Sequence, residues 1–140
     1  MTRRDPIVQS VRTVAVIGAS RDREKFGNKA VRAFSSTGFT VFPINSHCGT
    51  DSVGKFKIEG LRVYGSILAI PEDVDLATMY LPPKIGEKLV EEIFRKSIRR
   101  LWINPGAESD LLVERCRNRG IETELLCSIV AIGENPMDYE

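Results

Sequence analysis

At 140 residues, 28% charged and with a formal net charge of +1, the chain reads as one ordinary globular domain, long enough to build a core without disulfides or metal. The near-neutral balance gives no electrostatic reason to expect nucleic acid or an anionic membrane, and no apolar run approaches the ~20 residues that span a bilayer. Met1 to Pro6 lacks a following apolar stretch, so no signal peptide is expected, and Cys48, Cys116 and Cys127, without metal-type spacing, read as reduced thiols of a cytoplasmic protein.

Thr13-Val14-Ala15-Val16-Ile17 is apolar and largely β-branched, as a strand buried on both faces should be. Gly18-Ala19-Ser20 follows. Gly18 permits a sharp turn and close approach of a ligand, and the N–H groups opening the next helix suit a phosphate. Phe26, Ala30, Ala33, Phe34 and Thr37 recur at helical spacing over 26–37, and Gly38 caps that helix. Residues 39–44 read as the second strand, 45–60 as the longest irregular stretch, 61–64 as a short edge strand and 66–70 as a helical turn stopped by Pro71. A strand is expected over 74–81, ended by Pro82-Pro83. A helix over 84–96 carries Ile85, Leu89, Ile93 and Phe94, and a strand over 100–103 ends at Asn104-Pro105-Gly106. Ser109 caps a helix reaching Arg119, Gly120 ends it, and 121–125 is the last strand. The tail from Cys127 carries no readable pattern.

Strands alternating with helices across short loops mean βαβ units, hence a doubly wound α/β domain with a mostly parallel sheet covered on both faces. Such sheets bind ligands outside the carboxyl ends of their strands, at the topological switch point. That rule singles out the loops at 18–28, 45–48, 82–84 and 104–109. Ile44-Asn45 and Ile103-Asn104 echo each other behind their strands. The first loop is not a full dinucleotide fingerprint: Ser20 stands where the second glycine belongs, and Asn45, Ser46 and His47 stand where an acid would hold the ribose. Both departures count against NAD. Gly27-Asn28-Lys29 lacks the Walker pattern, which argues against ATP or GTP hydrolysis.

The ordered set Val14-Ala15-Val16-Ile17-Gly18-Ala19-Ser20-Arg21-Asp22, Lys25-Phe26-Gly27-Asn28, Gly38 to Asn45, Tyr64-Gly65-Ser66-Ile67, Ile70-Pro71 and Leu101 to Ala107 resembles the small CoA-binding proteins. These are single Rossmann-like domains similar to the N-terminal domain of the succinyl-CoA synthetase alpha subunit. The resemblance runs from Thr13 to about Val130. It implies coenzyme A or an acyl-CoA as ligand. Gly18, Ala19, Ser20 and Arg21, with Asn28, would wrap the phosphates. Asn45 and Ser46 would meet the adenosine end, and Pro82, Pro83, Asn104, Pro105 and Gly106 would line the rest of the cleft. The family usually has Asn-Pro after the second strand with a basic residue nearby, whereas this chain has Asn45-Ser46-His47-Cys48. Arg21, Arg23 or Lys25 is then left to meet the ribose 3′-phosphate. The synthetase also uses a second domain with a phosphorylated histidine and a partner subunit, so its activity is not carried over.

Other residues take plainer readings. His47, the one histidine, reads as a loop residue facing ligand or solvent rather than a metal ligand. Cys127 reads as buried and inert, the alternative being a thiol that meets the ligand's own thiol; Cys116 reads as core. Trp102 and Asn104 should share one sheet face, Leu101 and Ile103 the other. Asp75, Glu108 and Asp110 read as structural. With no catalytic constellation in view, the expected function is a non-catalytic carrier, sensor or regulatory module for coenzyme A. The alternatives are an NAD(P)-binding oxidoreductase-type domain and a partner-binding subunit without ligand. A homodimer is the expectation at the level of the fold.

Overall fold

The computed structural model describes residues 10–48 and 56–140. Its β-branched opening run forms β1 (Thr13–Ile17), joined in one sheet by β2 (Thr40–Ile44), β5 (Leu76–Met79), β6 (Arg100–Ile103) and β7 (Glu122–Leu125), with the small pair β3 (Lys57–Ile58) and β4 (Leu61–Arg62) outside it. The main sheet is parallel throughout, in the order β2-β1-β5-β6-β7. The chain leaves β1 in one direction for β2 and returns to the other side for β5, so the winding reverses between β1 and β5. Ile17 is in register with Ile44 on one side and Met79 on the other. Three strands therefore end level, and the loops behind them meet above that edge.

Alternation along the strands sorts side chains to two faces. Val14, Val16, Leu76 and Trp102 pack with Ala30 and Phe34 of α1 (Phe26–Ser36) and with Ile129 of α5 (Ser128–Ala131). Ala15, Ile17, Leu101 and Ile103 pack with Val90 and Ile93 of α3 (Val90–Arg95), and with Leu112 and Cys116 of α4 (Asp110–Asn118). Each large side chain buried this fully, Phe34 or Ile93 for example, contributes roughly 1.5–3 kcal/mol. The doubly wound, Rossmann-like α/β fold expected from the alternation is the one observed, including the division of Trp102 from Leu101 and Ile103. Asp75 ties the start of β5 to that of β1, accepting from the Arg12 and Thr13 N–H groups at 2.8 and 3.1 Å. Among the described residues, no helix is long and apolar enough to cross a membrane.

Several elements depart from the expected bounds. The helix expected over 84–96 is two: α2 (Pro83–Glu87) and α3. The Lys88 and Leu89 N–H groups turn back to Ile85 and Gly86 in tight i→i−3 bonds, which ends the first piece. Gly86, a poor helix former, lies against Met79: a Cβ there would sit 3.3 Å from its sulfur. The expected edge strand over 61–64 is instead half of an antiparallel hairpin, β3–β4, and only Tyr64 reaches the main sheet, through one parallel bridge to Ile44. The hairpin turns through Glu59 and Gly60, both at positive φ (50° and 78°), as a two-residue primed turn requires. The strand expected over 74–81 is confined to Leu76–Met79. The unreadable tail forms α5 and a 3-10 turn, Pro136–Tyr139, whose cap Asn135 accepts from the Met137 N–H. Phe26, expected on the buried face of α1, is 52% exposed.

Candidate functional site

The switch point is built by two glycines. Gly18 ends β1 at φ +94°, and a Cβ on it would lie 3.1 Å from the Tyr80 carbonyl carbon. A Cβ on Gly27 would lie 2.1 Å from the Gly18 carbonyl oxygen. Only hydrogens fit between the first turn of α1 and the loop behind β1, so the helix N-terminus is pressed against the strand end. Lys25 occupies the N-cap position without a side-chain cap bond; its carbonyl accepts the Asn28 N–H at 3.1 Å, which leaves the Phe26 and Gly27 N–H groups at the opening of α1 without a helical acceptor.

The N–H groups of Gly18 and Ala19 are engaged within the fold. Both donate to the Ile44 carbonyl, at 3.2 and 3.1 Å, and so clamp the loop to the end of β2. The Ser20 hydroxyl accepts from the Asp22 N–H at 3.0 Å and keeps its own proton to donate. Arg21 is turned to the hairpin: its Nε donates to the Lys57 carbonyl at 3.1 Å and its guanidinium lies 3.9 Å from the Phe56 ring centroid. Asn28 is fully buried and acts as a bracket. Its Nδ2 donates to the Ser20 carbonyl and to Glu59, at 2.9 and 3.1 Å, and its Oδ1 accepts from Arg32 at 2.7 Å.

Asn45 and Asn104, the echoing pair, have parallel structural roles. Asn45 Nδ2 donates to the Ala19 carbonyl at 3.0 Å, and its Oδ1 accepts the His47 N–H at 2.8 Å. Asn104 Nδ2 donates to the Met79 carbonyl and the Thr78 hydroxyl at 2.9 and 2.7 Å, and its Oδ1 accepts the Ser128 N–H at 2.8 Å. Each asparagine thus ties its own strand end to the neighbouring one, and Asn45 holds the turn that follows it while Asn104 holds the start of α5. Both amides position their surroundings; Asn104 spends both of its N–H donors in doing so, and Asn45 one of its two.

Above these strand ends lies a cleft of about 1100 Å³. The loop behind β1 supplies Gly18, Ala19, Ser20 and Lys25; the loop behind β2 supplies Asn45, Ser46 and His47. Pro82 lines it behind β5, and Asn104, Pro105 and Gly106 behind β6. Arg21, Asn28 and Pro83 of the expected site are not in its wall. The Gly106 N–H is taken by the Glu108 carboxylate at 2.7 Å, and so is not free for a ligand.

Several wall residues were not anticipated. Apolar Phe26, Leu81, Ile85 and Leu89 face the cleft, and Ser66 and Glu92 form one side of it. Phe26 and Ile85 are the exposed hydrophobics of their helices, a signal visible only once burial is known. Cys127, expected to be buried and inert, is half-exposed and lines the cleft, because α5 begins directly after it. Cys116 is buried as expected, and burial pushes its thiol up to about 11. Tyr80 also lines the cleft. Its hydroxyl, buried near the Thr78 and Ser128 hydroxyls and the Cys127 thiol, meets none of them in hydrogen-bond geometry. Burial, reinforced by Cys127, pushes this phenol well above its ordinary range. Lys25, His47 and Glu92 are the charged or ionisable wall residues apart from this tyrosine and cysteine, among the described residues.

Comparison with known proteins gives these features a context. The sequence model of a family described as CoA binding domain matches residues 12–132. An ADP-forming acetate–CoA ligase of Archaeoglobus fulgidus is 39% identical over 88 residues, 62% of this chain and 12% of the ligase. The alpha subunit of an ADP-forming acetate–CoA ligase of Pyrococcus furiosus is 31% identical over 90 residues, 63% of this chain and 19% of the subunit. This chain therefore spans less than a fifth of the length of these curated relatives. A solved structure of a conserved hypothetical protein from Pyrococcus furiosus, 33% identical, has a TM-score of 0.74 and is covered over 97% of its length by 85% of this chain.

Proposed function

This chain belongs to the CoA binding domain family, and from that premise we propose that its cleft takes coenzyme A or an acyl-CoA. The observation that carries the reading is one of position. The matched span, residues 12–132, contains every wall residue of the cleft except Pro136, and the cleft sits at the switch point where doubly wound sheets bind nucleotides. The uncapped start of α1, the Ser20 hydroxyl and the Lys25 ammonium suit the pyrophosphate. Ser46, His47 and the apolar wall at Ile67 and Ile93 suit the adenosine end, while Pro82, Pro105 and Cys127 suit the pantetheine arm. The residues fit the pyrophosphate and the apolar parts of coenzyme A. They fit its ribose 3′-phosphate less well, since Lys25 is the one lysine or arginine in the wall among the described residues.

In this reading the chain supplies the binding of the coenzyme, as a carrier, sensor or regulatory module, without transferring the acyl group. Thermal unfolding with coenzyme A, acetyl-CoA, NAD, NADP and ATP, each alone, tests it. A ligand at 100 times its Kd adds about 2.7 kcal/mol, enough to raise the midpoint by several degrees. A rise with the CoA compounds and none with NAD or NADP is the expected result. A rise with NAD or NADP alone would replace this reading with the oxidoreductase-type one, and no rise with any would favour the partner-binding one.

A further inference from the structure

We infer that Glu92, held by Ser66, sets the cleft's specificity at the ribose end, favouring a coenzyme A-type nucleotide with free ribose hydroxyls over one bearing a 3′-phosphate. This rests on the coenzyme A reading above and narrows it. Doubly wound dinucleotide sites hold the ribose hydroxyls with an acid placed after the second strand. Here that position is Asn45, and both ends of its amide are engaged, with the Ala19 carbonyl and the His47 N–H.

An acid reaches the same end of the cleft from a different element. The Asn45 N–H donates to the Tyr64 carbonyl at 2.9 Å, which brings Gly65 and Ser66 alongside the loop behind β2. Ser66 Oγ accepts the Leu68 N–H at 3.1 Å, so its proton is directed to Glu92 Oε1 at 2.6 Å, a short charge-assisted bond. Both residues line the cleft. Among the described residues Glu92 makes no ion pair and accepts from no second donor, whereas its neighbour Glu91 is paired with Arg119 at 2.7 Å. A carboxylate is acceptor-only, with room for about four hydrogen bonds. With one filled, Glu92 has capacity left for hydroxyl or amino donors of a ligand. The same negative charge repels a phosphate, and among the described residues of the wall only His47 and Lys25 are available to offset it. Dephospho-coenzyme A, which keeps the pyrophosphate and pantetheine but has a 2′,3′-diol, is the better match.

An acid in the first turn of a helix is favourable by itself, so the test must separate a ligand role from a helix role. Kd values for coenzyme A and dephospho-coenzyme A would be measured by calorimetry, at low and moderate salt, for the wild-type chain and for Glu92→Gln. Unliganded melting would check that both are folded. The expected result is dephospho-coenzyme A binding at least about fivefold tighter than coenzyme A to the wild type, a preference that narrows with salt and collapses in Glu92→Gln. A wild-type preference for coenzyme A overturns the inference. So does a Glu92→Gln variant that weakens both ligands equally, the outcome of a purely structural role. If neither compound binds the folded wild type, the coenzyme A reading fails, and the inference fails with it.

Discussion

Single residues decide the shape of the cleft by what they leave out or tie down. Gly27 is needed for close approach: α1 can press on the β1 turn only while no Cβ stands 2.1 Å from the Gly18 carbonyl. Backbone on both sides of that contact cannot swing away as a long side chain would. Gly27→Ala is therefore expected to cost at least ~2–3 kcal/mol in urea denaturation, more than ordinary overpacking of a flexible site. An alanine variant within 0.5 kcal/mol of wild type would show that the two elements can separate cheaply. Arg21 and Asn28 teach the opposite lesson about polar residues near a ligand loop. Their types suited phosphate contacts, yet one stacks on the hairpin and the other brackets Ser20 from inside the fold.

Between elements, the two asparagines that follow strands are the joints. Asn104 is 3% exposed and joins β5, β6 and the start of α5, while Asn45 makes the equivalent bonds from a half-buried place. An unsatisfied group costs most where water cannot replace its partner. Asn104→Ala, which orphans the buried Ser128 N–H while the Met79 carbonyl keeps the backbone N–H of residue 104, should then lose about 2–3 kcal/mol, and Asn45→Ala only about 1 kcal/mol. Parallel chemical-denaturation curves would measure both, and equal losses would refute the argument from burial. The broken helix between Pro83 and Arg95 belongs to this scale too. Of the apolar residues at helical spacing only Ile93 is fully buried; Ile85 and Phe94 are exposed and Val90 takes a buried place instead, and spacing could not register the turn at Lys88 and Leu89. Spacing reports a face, whereas continuity of the helix depends on how Gly86 settles against Met79.

For the whole molecule, the two cores share one sheet, so a charge forced into either is felt as global stability. Cys116, in the core behind α4, holds its proton up to about 11 when folded and to the ordinary thiol range when unfolded. Between pH 9 and 11 the unfolded chain therefore binds fewer protons than the folded one, and stability falls as pH rises. The contribution is intact below about pH 9, and its loss reaches roughly 2 kcal/mol by pH 11. Tyr80, raised higher still, acts in the same direction. Urea midpoints at pH 8, 9, 10 and 10.5 should fall less steeply in Cys116→Ala than in the wild type. Identical slopes would mean that water reaches this thiol in the folded protein.

Local signals along the chain set the succession of the main-sheet strands and their helices, the parallel doubly wound class and the loops that gather at the carboxyl edge. These follow from local facts: β-branched runs, helical spacing and capping residues such as Ser109, whose side chain accepts the Leu112 N–H. The family, a CoA binding domain, was legible because the resemblance rests on an ordered set of short motifs rather than on one. Tertiary packing alone sorts these residues into those that face the cleft and those that act as joints. It turned Arg21 onto the hairpin and Asn28 inward, brought Cys127 into the wall and set Glu92 against Ser66, 26 positions earlier in the chain. Local pattern fixes the face on which a side chain leaves its own strand or helix. Its partners depend on strand order and on the hairpin, whose Glu59-Gly60 turn gives little local signal. Contacts between distant segments form only when the whole sheet closes around them.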